Sequence, residues 1–140
     1  RVTFTGPVEY GELGAHYCAG DVFALPVRTQ GGGFSVEGLG IVFLESQACG
    51  VPTIAGTGGG APETVQDGVT GDVVDGGDVA GLADSVASLL ADTERARRYS
   101  VAGRSYVRDA WNWDVLGEQL VSVLDGDGRR PGRHSWNWRV

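Results

Sequence analysis

The chain contains no lysine and no methionine, and only two cysteines among its 140 residues. All 11 basic residues are arginines, which fits an Arg-favouring, GC-rich coding bias better than any mechanism. The missing Met, position 1 included, reads as a piece of a longer chain. Cys18 and Cys49 each stand in an apolar-leaning segment with no partner at a ligand-like spacing. A disulfide scaffold and a zinc site are thereby excluded, and a reducing compartment is expected. No apolar run approaches the length of a membrane span, and no signal peptide opens the chain. The formal charge of −7 excludes a nucleic-acid backbone as partner for the surface as a whole.

What is present is glycine, 24 of them, with 41% hydrophobic residues. A chain of this length fits one domain and can bury a core without covalent staples. Residues 1–124 hold 16 acidic residues against 7 Arg, net −9. Residues 125–140 hold 4 Arg and 2 Asp without periodicity, and read as a flexible tail or a fragment of the next segment in a longer protein.

Between those limits short apolar runs alternate with helical patterns. Val2–Thr5, Asp21–Leu25, Val51–Ala55 and Gly71–Val74 read as strands. Glu9–Ala19 suits a helix through Leu13 and Tyr17, and Gly38–Cys49 reads as a mostly apolar helix closed by Gly50. Asp78 caps a long helix whose apolar stripe is Val79, Leu82, Val86, Leu89 and Leu90. Two more helices are expected at Thr93–Arg108 and Trp113–Leu124. This alternation argues an α/β fold, a Rossmann-like parallel sheet flanked by helices. Ligands of such sheets bind beyond the carboxyl ends of the strands. Both glycine loops, residues 26–36 and TGGGAPE at 57–63, come after predicted strands and should fall on that edge.

The segment Gly31–Gly56 carries the chemistry. Glu37 stands before a helix that is expected to open Gly38-Leu39-Gly40-Ile41. Glycines leave the backbone uncovered there, and a helix N-terminus offers orphan N–H donors and a favourable dipole to an anion. Glu45 lies eight positions after Glu37, ~12 Å along a helix axis and ~80° around it. Two acceptors with an anion site between them suit a ligand with hydroxyls on both sides of a diphosphate, the shape of a nucleotide sugar. The plainer alternative makes Glu37 an N-terminal acid favoured by the dipole and Glu45 a solvated residue. The pattern alone leaves both open.

Glu37-GLGIVFL-Glu45 resembles the E-x7-E motif of the retaining glycosyltransferases of family 4, which have the GT-B fold. DVFALP before it, ACGVP after it, and the later GGAPE and DGVTG agree with that family in order. The resemblance spans residues 1–124, the nucleotide-sugar-binding C-terminal domain, with a crossover helix at about 112–124. Pro26–Gly33 together with Val36–Val42 is similar to the actinobacterial phosphatidylinositol mannosyltransferases, those that add an α-1,6-linked second mannose among them.

The resemblance implies roles residue by residue. Glu37 matches the catalytic-site Glu that holds hydroxyls of the donor sugar. The backbone N–H groups of Leu39, Gly40 and Ile41 match those that hold sugar and diphosphate, and Glu45 the acceptor for the nucleotide ribose. Gly6, Pro7 and Val8, with Glu9, match the segment beside the base; Gly32 and Gly33 would line the donor pocket. Gly59, Gly60 and Glu63 would lie near it, with turn chemistry and a helix cap the simpler account of Glu63.

Other residues keep plain readings. Cys18 and Cys49 read as packed small hydrophobes, His16 as solvated, and His134 as part of the tail; no nucleophilic triad is spaced among them. Arg28 could meet a phosphate or simply be solvated. Arg95, Arg97, Arg98, Arg104 and Arg108, interleaved with acids, read as a solvated helix face. Trp111-Asn112-Trp113 resembles the crossover segment, whose indoles would pack at a domain interface.

For a complete protein the resemblance implies transfer of mannose from GDP-mannose to a phosphatidylinositol mannoside glycolipid with retained configuration. It also implies a cytoplasmic site at the inner membrane face, a membrane contact made only by the full-length protein, and no cofactor or metal. Another nucleotide sugar, UDP-glucose or UDP-N-acetylglucosamine, is one alternative; a non-catalytic α/β nucleotide-binding module is another. In the family the acceptor binds the N-terminal domain, which supplies a His, while an Arg and a Lys neutralise the donor diphosphate. None of these has a counterpart here, so this chain alone is expected to bind donor weakly and turn over nothing measurable.

Overall fold

The computed structural model of the protein describes residues 1–29, 31–33 and 35–126. Strands β1 (Phe23–Leu25), β2 (Thr53–Gly56) and β3 (Gly71–Val74) form one sheet in the order β1-β2-β3, both pairs parallel. Phe23 lies opposite Thr53, and Thr53 opposite Gly71. Helices α1 (Leu13–Cys18), α2 (Ile41–Ala48), α3 (Ala61–Thr64), α4 (Val79–Ala91), α5 (Thr93–Ala110) and α6 (Trp113–Leu124) complete the fold. This is the parallel α/β layer that the alternation of patterns predicts.

The central strand β2 is buried along its whole length, as a strand covered on both faces must be. Successive side chains point to opposite faces, so β2 feeds two cores. Ala55 joins Phe43, Ala61 and Val65, with Phe23, Val27, Val42 and Val73 packed against them. Ile54 faces Leu89 and Tyr99, with Val22, Val74, Leu82 and Val86 around them. Helices α2 and α3 thus cover one face, and α4 with the start of α5 the other. The helix starts obey capping chemistry: Asp78, Asp92 and Asn112 accept from the N–H groups of Gly81, Arg95 and Val115, each satisfying an orphan donor.

Polar groups tie the layers. Asp72 on β3 is buried, and its Oδ1 accepts from Arg95 Nη2 at 2.6 Å and Tyr99 Oη at 2.8 Å, while Ser85 Oγ donates to Oδ2. A buried charge stands only with such pairing. On the other face the Gln47 amide donates to the carbonyls of Phe43 and Thr64 at 2.9 and 2.7 Å, joining α2 to α3. Gly103 of α5 leaves room for that side chain.

Several expectations are corrected. Val2–Thr5 forms no strand; Val2 and Phe4 are 79% and 94% exposed, and an extended segment without a ladder partner is not a strand. The second helix begins at Ile41 rather than Gly38, because Gly40 takes a left-handed conformation, φ +79°. The stripe on α4 is narrower: Leu82, Val86 and Leu89 pack inward, whereas Val79 and Leu90 are exposed. One of the arginines leaves the solvated face, Arg95, which joins Asp72; Arg104 stays exposed while it donates to the Cys49 carbonyl at 2.8 Å. Trp113 is exposed, while Trp111 is half-buried with its ring edge-on to Tyr106. Nearly all of the expected tail, with His134, lies outside the described residues.

Candidate functional site

The loops beyond the carboxyl ends of the three strands meet at one edge. After β2, the Thr57 N–H donates to the Val74 carbonyl at 3.0 Å and the Gly58 N–H to Val27 at 3.2 Å. The Gly60 N–H reaches the Glu37 carbonyl at 3.1 Å. Glycine makes these approaches possible. A Cβ on Gly58 would stand 2.8 Å from the Arg28 backbone, and one on Gly56, Gly59 or Gly60 would collide with the carbonyls of Val27, Glu37 and Gly38 respectively. Both glycine loops therefore do share the predicted edge, packed backbone against backbone.

Glu37 is half-buried in the loop before α2. It lines a cleft of ≈310 Å³ together with Pro26, Val27, Arg28, Ser35 and Val36. Arg28, exposed, brings a cation to the same cleft. Because α2 starts at Ile41, the ~12 Å helical separation of the two carboxylates does not hold. Glu45 instead lies about 6 Å along the axis from the first helical residue, and Glu37 precedes the helix altogether. Leu39 is half-buried and Gly40 buried, while Ile41 is exposed. Among the described residues no side chain caps α2 and no acid occupies its first turn; the Phe43 N–H donates to the Gly40 carbonyl at 3.0 Å, and the N–H groups before it are left for a ligand. Gly40 is required twice, by its positive φ and because a Cβ would meet the Phe43 ring.

Glu45 is half-buried, and its Oε2 accepts from Tyr17 Oη at 2.9 Å. Burial, then this carboxylate, push the Tyr17 phenol up to about 12. Tyr17 is the partner that sequence reasoning misses: it stands 28 positions from Glu45, and only its helical spacing from Leu13 marks it. Close by, the Cys49 thiol lies 3.8 Å from the Gly14 carbonyl. Burial raises its pKa, and the neighbouring Cys18 thiol raises it further. Both thiols are free, but Cys18 is exposed rather than packed.

The remaining candidates are placed less tightly. Gly6 and Pro7 are exposed and Val8 half-buried, and among the described residues none of them hydrogen-bonds to the loops around Glu37. Gly32 and Gly33 form a 3-10 turn with Gly31. Glu63 sits in the first turn of α3 without capping it; burial raises its carboxyl pKa, and its carbonyl accepts from Tyr106 Oη at 3.0 Å. His16 is exposed. Among the described residues no cluster of three His, Cys, Asp or Glu could hold a metal, and no helix is long and apolar enough to cross a membrane.

Residues 1–106 match the family model of glycosyl transferases group 1. The chain belongs to this family. Among group 1 relatives it is 57% identical over 127 residues to the GDP-mannose-dependent alpha-(1-6)-phosphatidylinositol monomannoside mannosyltransferase of Mycobacterium tuberculosis, covering 91% of this chain and 33% of that protein. The protein of the same name from Mycolicibacterium smegmatis is 52% identical over 135 residues, covering 96% and 35%. The chain thus spans about a third of the length of the curated relatives it matches. Among solved structures, sucrose-phosphate synthase from Thermosynechococcus elongatus superposes with a TM-score of 0.77 at 32% identity, covering 90% of this chain and 30% of that one. The α/β layer of this group 1 chain is that of the GT-B glycosyltransferases.

Proposed function

We propose that the chain is the donor-binding part of a retaining mannosyltransferase that takes GDP-mannose and delivers mannose to a phosphatidylinositol mannoside. The observation that carries this reading is the 57% identity over 91% of the chain to a relative named for that donor and acceptor. Residues 1–124 form the unit, with residues 112–124 as the crossover helix. The diphosphate sits at the open N-terminus of α2, held by the N–H groups at Leu39, Gly40 and Ile41, where dipole and orphan donors favour an anion. Glu37 accepts from the mannose hydroxyls in the Arg28 cleft, beside Gly32 and Gly33. Glu45 accepts from the ribose, and Gly6, Pro7 and Val8 close over the base. The glycolipid acceptor and the inner membrane face are met by the complete protein.

Observing this chain by NMR while adding GDP-mannose, UDP-glucose or GDP tests the reading. Shifts at Leu39–Val42 that are stronger for guanosine ligands than for UDP-glucose are expected. A stronger response to UDP-glucose would overturn the donor assignment, and no response from the folded chain would overturn the donor-site assignment itself.

A further inference from the structure

A carboxylate at the middle of a helix ordinarily samples several rotamers, and a ribose diol needs it in one. Glu45 is not free in that way. Its Oε2 holds the Tyr17 hydroxyl at 2.9 Å, and Tyr17 is itself fixed through a relay of rings. The edge of Tyr17 meets Phe23 at 5.5 Å between centroids, and Phe23 meets Phe43 at 6.0 Å, both near-perpendicular. Phe43 is fully buried and stands two positions before Glu45 on the same helix. The relay therefore starts and ends on α2, passing through α1 and β1. Such edge-to-face contacts orient as well as bury.

We propose that Tyr17 is a positioning residue for nucleoside recognition, holding one oxygen of Glu45 so that the other meets the vicinal hydroxyls of the donor ribose. Tyr17 touches no ligand itself; it acts through Glu45. Among the described residues no other side chain donates to Glu45, so its Oε1 is left for the diol. A single carboxylate oxygen has two lone-pair sites, so Oε1 alone can accept from two adjacent hydroxyls. The proposal rests on the reading that Glu45 faces the ribose.

The test uses two ligands that differ only in those hydroxyls, GDP and 2′,3′-dideoxy-GDP, titrated against the chain and the variants Tyr17→Phe and Glu45→Ala. Tyr17→Phe removes one oxygen and keeps the ring on Phe23; circular dichroism checks the fold. The unaltered chain should prefer GDP, and Glu45→Ala should abolish the preference. Tyr17→Phe should weaken GDP about 3- to 10-fold and leave the dideoxy ligand unchanged. A merely structural tyrosine would weaken both ligands equally, which overturns the proposal. A preference that survives Glu45→Ala overturns the ribose reading beneath it. A preference lost in Glu45→Ala but intact in Tyr17→Phe overturns the role of Tyr17 alone. No binding of GDP by the folded chain removes both.

Discussion

The Glu37 carbonyl accepts the Gly60 N–H at 3.1 Å, and this bond staples the loop bearing the first carboxylate to the glycine turn after β2. The turn can lie so close because its residues lack side chains. Gly59, at φ +59°, has no room for a Cβ against the same carbonyl. Gly59→Ala therefore meets both a left-handed backbone and a collision, and should lose about 1–3 kcal/mol of stability. Gly14, helical with open space around it, is the control; Gly14→Ala should gain about 0.5–1 kcal/mol. Urea denaturation of the two variants measures the contrast, and equal midpoints would refute the close-packing account.

Asp72 lies on the opposite face of the sheet from α2 and serves stability. Asp72→Ala removes the acceptor of the Tyr99 and Ser85 hydroxyls and the carboxylate partner of Arg95, which among the described residues keeps only Ser88 and Tyr99. Breaking a buried pair by removing one partner costs roughly 3 kcal/mol or more, and a sharply lowered thermal midpoint is expected. The folded fraction should still bind GDP-mannose as the unaltered chain does, because none of these groups borders the Glu37 cleft.

Much of this architecture is legible in the sequence because it is locally encoded. Asp78 stands where a cap belongs, and DVFAL and VPTIA both read as strands, although only β2 is buried along its length while Ala24 and Leu25 of β1 are exposed. Val2–Thr5 has strand composition too, yet a strand exists only through its neighbour, which four residues do not reveal. The start of α2 is misread because Gly-Leu-Gly-Ile does not say which glycine adopts positive φ; in the structure it is Gly40. Glu37 and Glu45 are singled out by the E-x7-E spacing, but the helical separation read from it fails because Glu37 precedes α2. Tyr17 is not singled out, because its link to Glu45 is made by folding α1 onto α2. Arg104 escapes for the same reason, reading as one more charge on α5 while it caps the carbonyl end of α2.

Tyr17 also gives the fold an alkaline limit. Its folded pKa, about 12, lies above the ordinary tyrosine value near 10, so the folded state holds the proton more tightly. That contribution is complete below about pH 10 and is lost as pH rises towards the folded value of about 12. Urea midpoints of the chain and of Tyr17→Phe should therefore converge across this window, since phenylalanine has no proton to lose. A constant gap would show that the phenol is not buried against a carboxylate.

The Gly40–Phe43 contact separates two causes that usually travel together. Gly40→Ala is expected to destabilise by about 1–3 kcal/mol through its left-handed backbone alone, and further because the Cβ meets the Phe43 ring. Phe43→Leu shortens that ring in a fully buried site and costs stability by itself, through lost contacts and a residual cavity. If the collision contributes, the double variant should be more stable than the sum of the two single losses predicts, by about 0.5 kcal/mol or more. Strict additivity would assign the whole effect to φ. Because the same glycine sets where α2 begins, Gly40→Ala should also weaken GDP-mannose more than Phe43→Leu does, measured on the folded fraction by NMR titration. Equal weakening would mean that the N-terminus of α2 tolerates a shift, and would count against its holding the diphosphate.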